Sequence, residues 1–223
     1  MPYQGVLFDM DGLLLDSERL VVKCFRQATA DFDLPDMDDV VFRLIGLRQD
    51  AGEVILRKAL DGRVDYQTFY EGWYAHIRDR MAQGIPLKDG VQLLLKLLQD
   101  QGLPCAVATS THTAKAREHL EIAGILPYFQ TVTGGEQVQH GKPAPDIYHA
   151  AAASLGVQAS DCAAFEDSDP GTNAAFASGA RTVQVPDINT PAPEMLKLGH
   201  TIAPDILQGA RMIGLIGNQS GQL

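Results

Sequence analysis

Cysteine is scarce in this sequence, and basic side chains are outnumbered by acidic ones. The three cysteines, Cys24, Cys105 and Cys162, make no C-x-x-C pair and sit among apolar neighbours, so buried reduced thiols are expected rather than a disulfide framework. Against 28 Asp and Glu stand 18 Lys and Arg, a formal net charge of −10. That balance argues against nucleic acid as a partner, because phosphate backbones are met by basic faces. It does not forbid a locally positive pocket. No apolar run reaches the roughly 18 residues of a membrane span, and the first residues lack the basic and then apolar pattern of an export signal. A cytoplasmic protein with no membrane partner is the expectation, as a monomer or weak homodimer.

Several catalytic signatures are missing as well. There is no G-x-S-x-G, and the six histidines show no metal-ligand spacing, so serine-hydrolase and zinc-hydrolase readings have no support. The stretch "GGEQVQHGK" resembles a phosphate-binding P-loop, but it holds five residues between Gly135 and Gly141. Pro143 also stands where a P-loop needs Ser or Thr for magnesium.

What is present is a packable core, with 45% hydrophobic residues, organised in two patterns. From residue 16 to 85 the apolar spacing is helical: Leu20, Val21, Cys24, Phe25 and Ala28, then a stretch around 49 to 60, then Phe69, Trp73, Ile77 and Met81 in steps of four. Elsewhere short apolar strands alternate with helices. A strand ends at Phe8. A helix ends near Gly102, followed by the strand "PCAVATS", a helix from Thr113 to Gly124, and a short strand at Thr131 to Val132. The helix "DIYHAAAASLG", the strand "CAAF", a helix after Pro170, the strand "TVQVP" and a last helix over 205 to 216 complete the series, before a polar tail expected to fray. The fold class is therefore α/β, a doubly wound, mostly parallel sheet. Residues 1 to 15 and 86 to 223 form this Rossmann-like core, and 16 to 85 are an inserted all-helical cap.

Polar clusters fall where strands end: Asp9 and Asp11, Thr109 and Ser110, Lys142, and Glu166 with Asp167. In a doubly wound sheet the carboxyl ends lie side by side, so positions far apart in sequence can meet. Acids, hydroxyls and a lysine together suit a hard divalent cation holding a phosphate, since Mg²⁺ prefers oxygen ligands. Each cluster also has a plainer explanation. Asp9 and Asp11 fit turn chemistry, Thr109 and Ser110 fit a helix cap, Lys142 a solvated charge, and Glu166 and Asp167 first-turn acids of a helix.

The segments "FDMDGLLLDSE", "VATST", "GKPAPDIY" and "FEDSDPGTNAAFASGA" resemble, in order and spacing, the four motifs of the haloacid dehalogenase-like hydrolase superfamily. The helical block after the first motif resembles that superfamily's small cap. "FDMDGLLLDSERL", "VQHGKPAPDIY" and "VPD" are similar to the group that includes pseudouridine-5′-phosphatase, sugar phosphatases and β-phosphoglucomutase. The resemblance implies Asp9 as a nucleophile forming an aspartyl-phosphate and Asp11 as acid and then base. It implies Mg²⁺ on the Asp9 carboxylate, the Asp11 carbonyl and Asp167, with Glu166 acting through water. It further implies a phosphate pocket of Thr109, the Ser110 amide and Lys142. The substrate is expected to be a small phosphorylated metabolite, a nucleoside or sugar monophosphate. Ser17 and the Ile45 to Gln49 turn are candidate substrate contacts, with surface capping and turn formation as equally good explanations, while Trp73 and its neighbouring tyrosines read as cap core rather than a base-stacking platform. The group's mutases carry a histidine where this chain has Val21, which favours hydrolysis. A phospho-receiver domain uses similar acids and a lysine but has no helical insertion there, so residues 16 to 85 count against it.

Overall fold

The computed structural model describes residues 3–45 and 49–217; the middle of the Ile45 to Gln49 turn and residues 218–223 of the polar tail lie outside them. The chain divides into two compact units, one of Met1–Leu15 with Pro86–Leu223 and one of Asp16–Ile85.

The first unit opens with β1 (Gly5–Phe8). Asp16–Ile85 then supply α1 (Ser17–Asp31), α2 (Asp38–Leu44), α3 (Gln49–Leu60) and α4 (Tyr66–Ala82). The first unit resumes with α5 (Val91–Asp100), β2 (Cys105–Ala108), α6 (Thr113–Ile122) and β3 (Thr131–Thr133). It continues through α7 (Asp146–Ser154), β4 (Cys162–Glu166), α8 (Asp169–Ala177), β5 (Arg181–Gln184), β6 (Thr201–Ile202) and α9 (Ile206–Met212). All strand pairings in the six-stranded sheet are parallel, in the order β3-β2-β1-β4-β5-β6. The order reverses direction between β1 and β4, and a doubly wound sheet binds ligands outside the carboxyl ends at such a reversal.

The central strands are buried along their whole length because helices cover both faces. Leu7, Ala106, Ala108 and Ala164 pack with Ile147, Tyr148, Ala151 and Ala152 of α7 and with Ala174 and Ala175 of α8. Alanines on both sides let these helices approach the sheet closely. Phe8 stacks on Phe165 at 5.3 Å between ring centroids and meets Phe129 edge-on at 6.1 Å. Phe8 and Phe165, both fully buried, each contribute about 1.5–3 kcal/mol of transfer free energy.

Two elements exceed the sequence expectation. β6 is only two residues long, and the seven-residue α2 has Met37 at its N-cap with no side-chain cap bond and only Val41 fully buried, so neither carries the apolar periodicity that reveals a helix or strand. The last helix stops at Met212 rather than 216, where Gly214 takes a left-handed conformation at φ +69°.

In the helical unit, Phe25 meets Trp73 edge-on at 4.9 Å and Phe69 at 5.5 Å, and the Trp73 indole N–H donates to the Val21 carbonyl at 3.3 Å. Trp73 is therefore core. Tyr66, Tyr70 and Tyr74 stack successively along α4, and Asp65 caps that helix by accepting from the Thr68 amide at 3.0 Å.

A side-chain relay at the carboxyl end of β5 makes stability depend on pH. Gln184 Nε2 donates to Asp169 Oδ1 at 2.8 Å, so its Oε1 accepts the Nε2 proton of His200 at 2.8 Å. The His200 Nδ1 is buried with no hydrogen-bond partner, so a second proton there would be unpaired and the neutral imidazole is favoured. Burial lowers the His200 pKa more than Asp169 raises it, and burial likewise lowers that of His119. The unfolded chain therefore takes up more protons below about pH 6.5, so stability falls as pH drops through that region. His200→Gln is expected to flatten the decline in urea midpoint between about pH 7 and pH 5; an unchanged slope would mean His200 titrates alike in both states.

Candidate active site at the strand ends

Register puts the polar clusters side by side. Phe8 pairs with Phe165 and with Val107, and the Asp9 amide donates to the Phe165 carbonyl at 3.0 Å. Asp9 is thus level with Glu166 on one flank and one step short of Thr109 on the other. Met10 is fully buried, whereas Asp9 and Asp11 reach polar partners beyond the end of β1, the Lys142 ammonium and the Thr111 hydroxyl. Asp9, Thr109, Glu166 and Asp167 are buried, Asp11 is half-buried, and Ser110 is exposed.

Lys142 ties the acids together. Its ammonium donates to Asp9 Oδ1 and to Glu166 Oε1, the latter at 2.5 Å, with 8% of the lysine side chain exposed. Burial opposes its charge, but Asp9 and Glu166 outweigh that penalty and hold the Lys142 pKa above its ordinary value. For Asp9, burial is the largest effect and raises the pKa well above the carboxylate range, ahead of the lowering by Lys142. A divalent cation beside Asp9 would oppose that shift.

Glu166 is bonded through both carboxylate oxygens. Its Oε1 accepts from Lys142 and from the Tyr148 hydroxyl at 2.7 Å; its Oε2 accepts from the Asp167 amide at 3.1 Å, the Ser168 amide at 3.3 Å and the Ser168 hydroxyl at 3.1 Å. Gly171 makes room for it, since a Cβ there would lie 1.9 Å from Glu166 Oε1. Asp11 accepts from the Thr111 hydroxyl at 2.9 Å, and the Thr109 hydroxyl accepts from the Thr111 amide at 3.1 Å.

The plainer capping readings fail locally. The cap of α6 is His112, whose Nδ1 accepts from the Ala114 amide at 3.4 Å, and Glu136 accepts the Thr113 amide at 3.1 Å. Thr109 and Ser110 do not cap it. At α8 the cap is Ser168 and the first-turn acid is Asp169, so Glu166 and Asp167 stand outside that helix. The "GG" of the false P-loop serves packing: a Cβ on Gly134 would lie 2.4 Å from the Thr113 amide nitrogen, and one on Gly135 would lie 2.7 Å from the Ser110 carbonyl.

Asp9, Glu166 and Asp167 each offer a carboxylate oxygen within 4.8 Å of the others, and all three are buried. Clustered hard oxygen donors at that spacing fit a divalent cation of the Mg²⁺ type. The Asp11 carboxylate, engaged with Thr111, is not one of the three. Thr111, Tyr148, Ser168 and Gly171 were not foreseen as parts of this site. The one available signal was Tyr148 itself, a hydroxyl on the otherwise apolar buried face of α7.

A family model described as haloacid dehalogenase-like hydrolase matches residues 6–185. Among curated relatives, the phosphorylated carbohydrates phosphatase of Thermotoga maritima is 29% identical over 180 residues, 81% of this chain and 83% of that protein. A Drosophila melanogaster protein named "Probable pseudouridine-5'-phosphatase" is 30% identical over 193 residues, 81% of this chain and 80% of its own length. Among solved structures, a HAD family hydrolase from Deinococcus radiodurans R1 with bound phosphate and sodium superposes with a TM-score of 0.74 at 25% identity, covering 90% of each chain.

Proposed function

The chain belongs to the haloacid dehalogenase-like hydrolases and is a phosphoric monoester hydrolase, and we propose that it cleaves a small sugar or nucleoside monophosphate through a phosphorylated Asp9. What carries this reading is the meeting of Asp9, Glu166 and Asp167 within 4.8 Å, with the Lys142 ammonium bonded to Asp9. The sheet-bearing unit is the catalytic core in this reading and residues 16–85 are the helical cap.

Asp9 attacks phosphorus, and the bond from phosphorus to the ester oxygen breaks as Asp11 gives that oxygen a proton. The leaving alcohol departs. Asp11, now a carboxylate, takes a proton from water, which attacks the acyl phosphate and frees Asp9 and inorganic phosphate. Splitting one hard displacement into two is the advantage of a covalent intermediate, and a positioned acid–base group contributes about 10²- to 10⁴-fold. The Thr111 hydroxyl bonded to Asp11 limits the rotation of that carboxyl. Thr109, the Ser110 amide and Lys142 bind phosphoryl oxygens. Lys142 has three N–H donors, two of them engaged by Asp9 and Glu166, which leaves one for the phosphate.

Mg²⁺ would be held by the Asp9 carboxylate, the Asp11 main-chain carbonyl and Asp167, with Glu166 reaching it through water. When bound, it neutralises the clustered acids and stabilises charge on the phosphoryl oxygens. A first trial substrate is pseudouridine 5′-phosphate, beside fructose and hexitol phosphates, because relatives carry names of both kinds.

The expected result is steady phosphate release from p-nitrophenyl phosphate in the presence of Mg²⁺, stopped by EDTA and restored by excess Mg²⁺. A panel of monophosphates ranked by kcat/KM then identifies the substrate. A stable stoichiometric phosphoprotein without turnover, or isomerisation of a hexose 1-phosphate without phosphate release, would overturn the proposal.

A further inference from the structure

Tyr148 is fully buried in α7, yet its hydroxyl points out of the sheet-facing core and into the acid cluster. Its oxygen lies 2.7 Å from Glu166 Oε1, the same atom that accepts the Lys142 ammonium at 2.5 Å. The Lys142 nitrogen also lies 5.5 Å from the centroid of the Tyr148 ring. One side chain therefore touches both members of the Lys142–Glu166 pair, with its hydroxyl on the acid and its ring beneath the ammonium. Nothing in the reaction as derived above uses it.

We propose that Tyr148 is a positioning residue that sets where Lys142 stands between Glu166 and Asp9. Glu166 Oε2 is fixed by three donors from its own loop, so the carboxylate can swing only about that anchored end. Oε1 is fixed from the other side by Tyr148 and Lys142 together. A hydroxyl that shares the charge on Oε1 weakens its hold on the ammonium, and the ammonium stays in reach of Asp9 and of a phosphoryl oxygen. The hydroxyl suits that task because it donates to Glu166 Oε1 at 2.7 Å while its ring centroid stays 5.5 Å from the ammonium. Without it, Glu166 Oε1 would keep Lys142 as its only donor and draw it away from Asp9. The loss would appear where charge develops on the phosphoryl group rather than in substrate binding.

This inference rests on the proposed phosphatase reaction. Tyr148→Phe tests it, because phenylalanine keeps the ring, its contact with the ammonium and the packing of α7, and removes the hydroxyl alone. With p-nitrophenyl phosphate and saturating Mg²⁺, kcat is expected to fall about tenfold while KM stays within about twofold and Tm shifts by no more than about 4 °C. A kcat within about twofold of the parent would overturn the role, as would a loss of kcat that merely follows loss of folded protein on heating. If the unmodified chain itself shows no Mg²⁺-dependent phosphate release, the reaction is wrong. An active parent with an indifferent Tyr148→Phe shows that the positioning role alone is wrong.

Discussion

Asp9→Asn is expected to lower kcat by at least about 10⁴-fold while leaving a folded protein. An amide has the shape of the carboxyl but neither its charge nor its nucleophilicity, so no acyl phosphate forms. The fold should tolerate the change because Asp9 is expensive where it stands. Only 6% of it is exposed, and burial pushes its pKa well above the carboxylate range despite the ammonium beside it. Asparagine removes that desolvation cost, and Lys142 keeps Glu166 as a partner. A Tm equal to or above that of the parent is therefore expected alongside the lost activity. Acid quenching during turnover should trap a hydroxylamine-sensitive phosphoprotein in the parent and none in the variant. Retained turnover in Asp9→Asn, or a trapped phosphate on it, would remove Asp9 as the nucleophile.

The sheet, the helical block between strands one and two, and the neighbourhood of Asp9, Lys142 and Glu166 could be read before any coordinates, for one reason. Strand ends in a parallel doubly wound sheet are brought together by topology, so a cluster of acids at one end and a lysine before a helix become neighbours whatever their exact rotamers. The remainder depends on side-chain direction, which spacing does not report. Thr111 was passed over beside Thr109 and Ser110, yet it is Thr111 whose hydroxyl reaches Asp11, a hundred positions away. Thr109 and Ser110, close in sequence, offer an alternative as caps of α6, but His112 caps it and Glu136 adds a bond from the loop after β3, because Gly134 and Gly135 let that loop come against Ser110 and Thr113. The same glycines made the stretch look like a P-loop. α2 and β6 are short and weakly signalled, and tertiary contacts hold such pieces more than their own propensity does: Val41 of α2 is fully buried, and β6 pairs with β5 through Val183 to Thr201 and Gln184 to Ile202.

Lys142→Met should be the most damaging single change to stability in the site. Methionine matches the volume of the lysine stem, so the loss is chiefly of the ammonium, which leaves Asp9 and Glu166 as two buried acids without their shared cation. Removing one partner from a buried ion pair costs about 3–5 kcal/mol. Its pH dependence follows from the direction of the Asp9 shift. An acid whose pKa is raised on folding binds more protons in the native chain than in the unfolded one, so its contribution to stability declines as pH rises from the ordinary carboxylate value toward the raised one. Without the ammonium the raise grows, and the variant should lose more stability than the parent between about pH 5 and pH 8. Mg²⁺ supplies a cation to the same acids, so it should raise the Tm of Lys142→Met by more than it raises that of the parent. Thermal melts at both pH values, with Mg²⁺ and with EDTA, decide the matter. A variant as stable as the parent at both, or one indifferent to Mg²⁺, would mean that these acids do not share the charge economy on which the proposed mechanism depends.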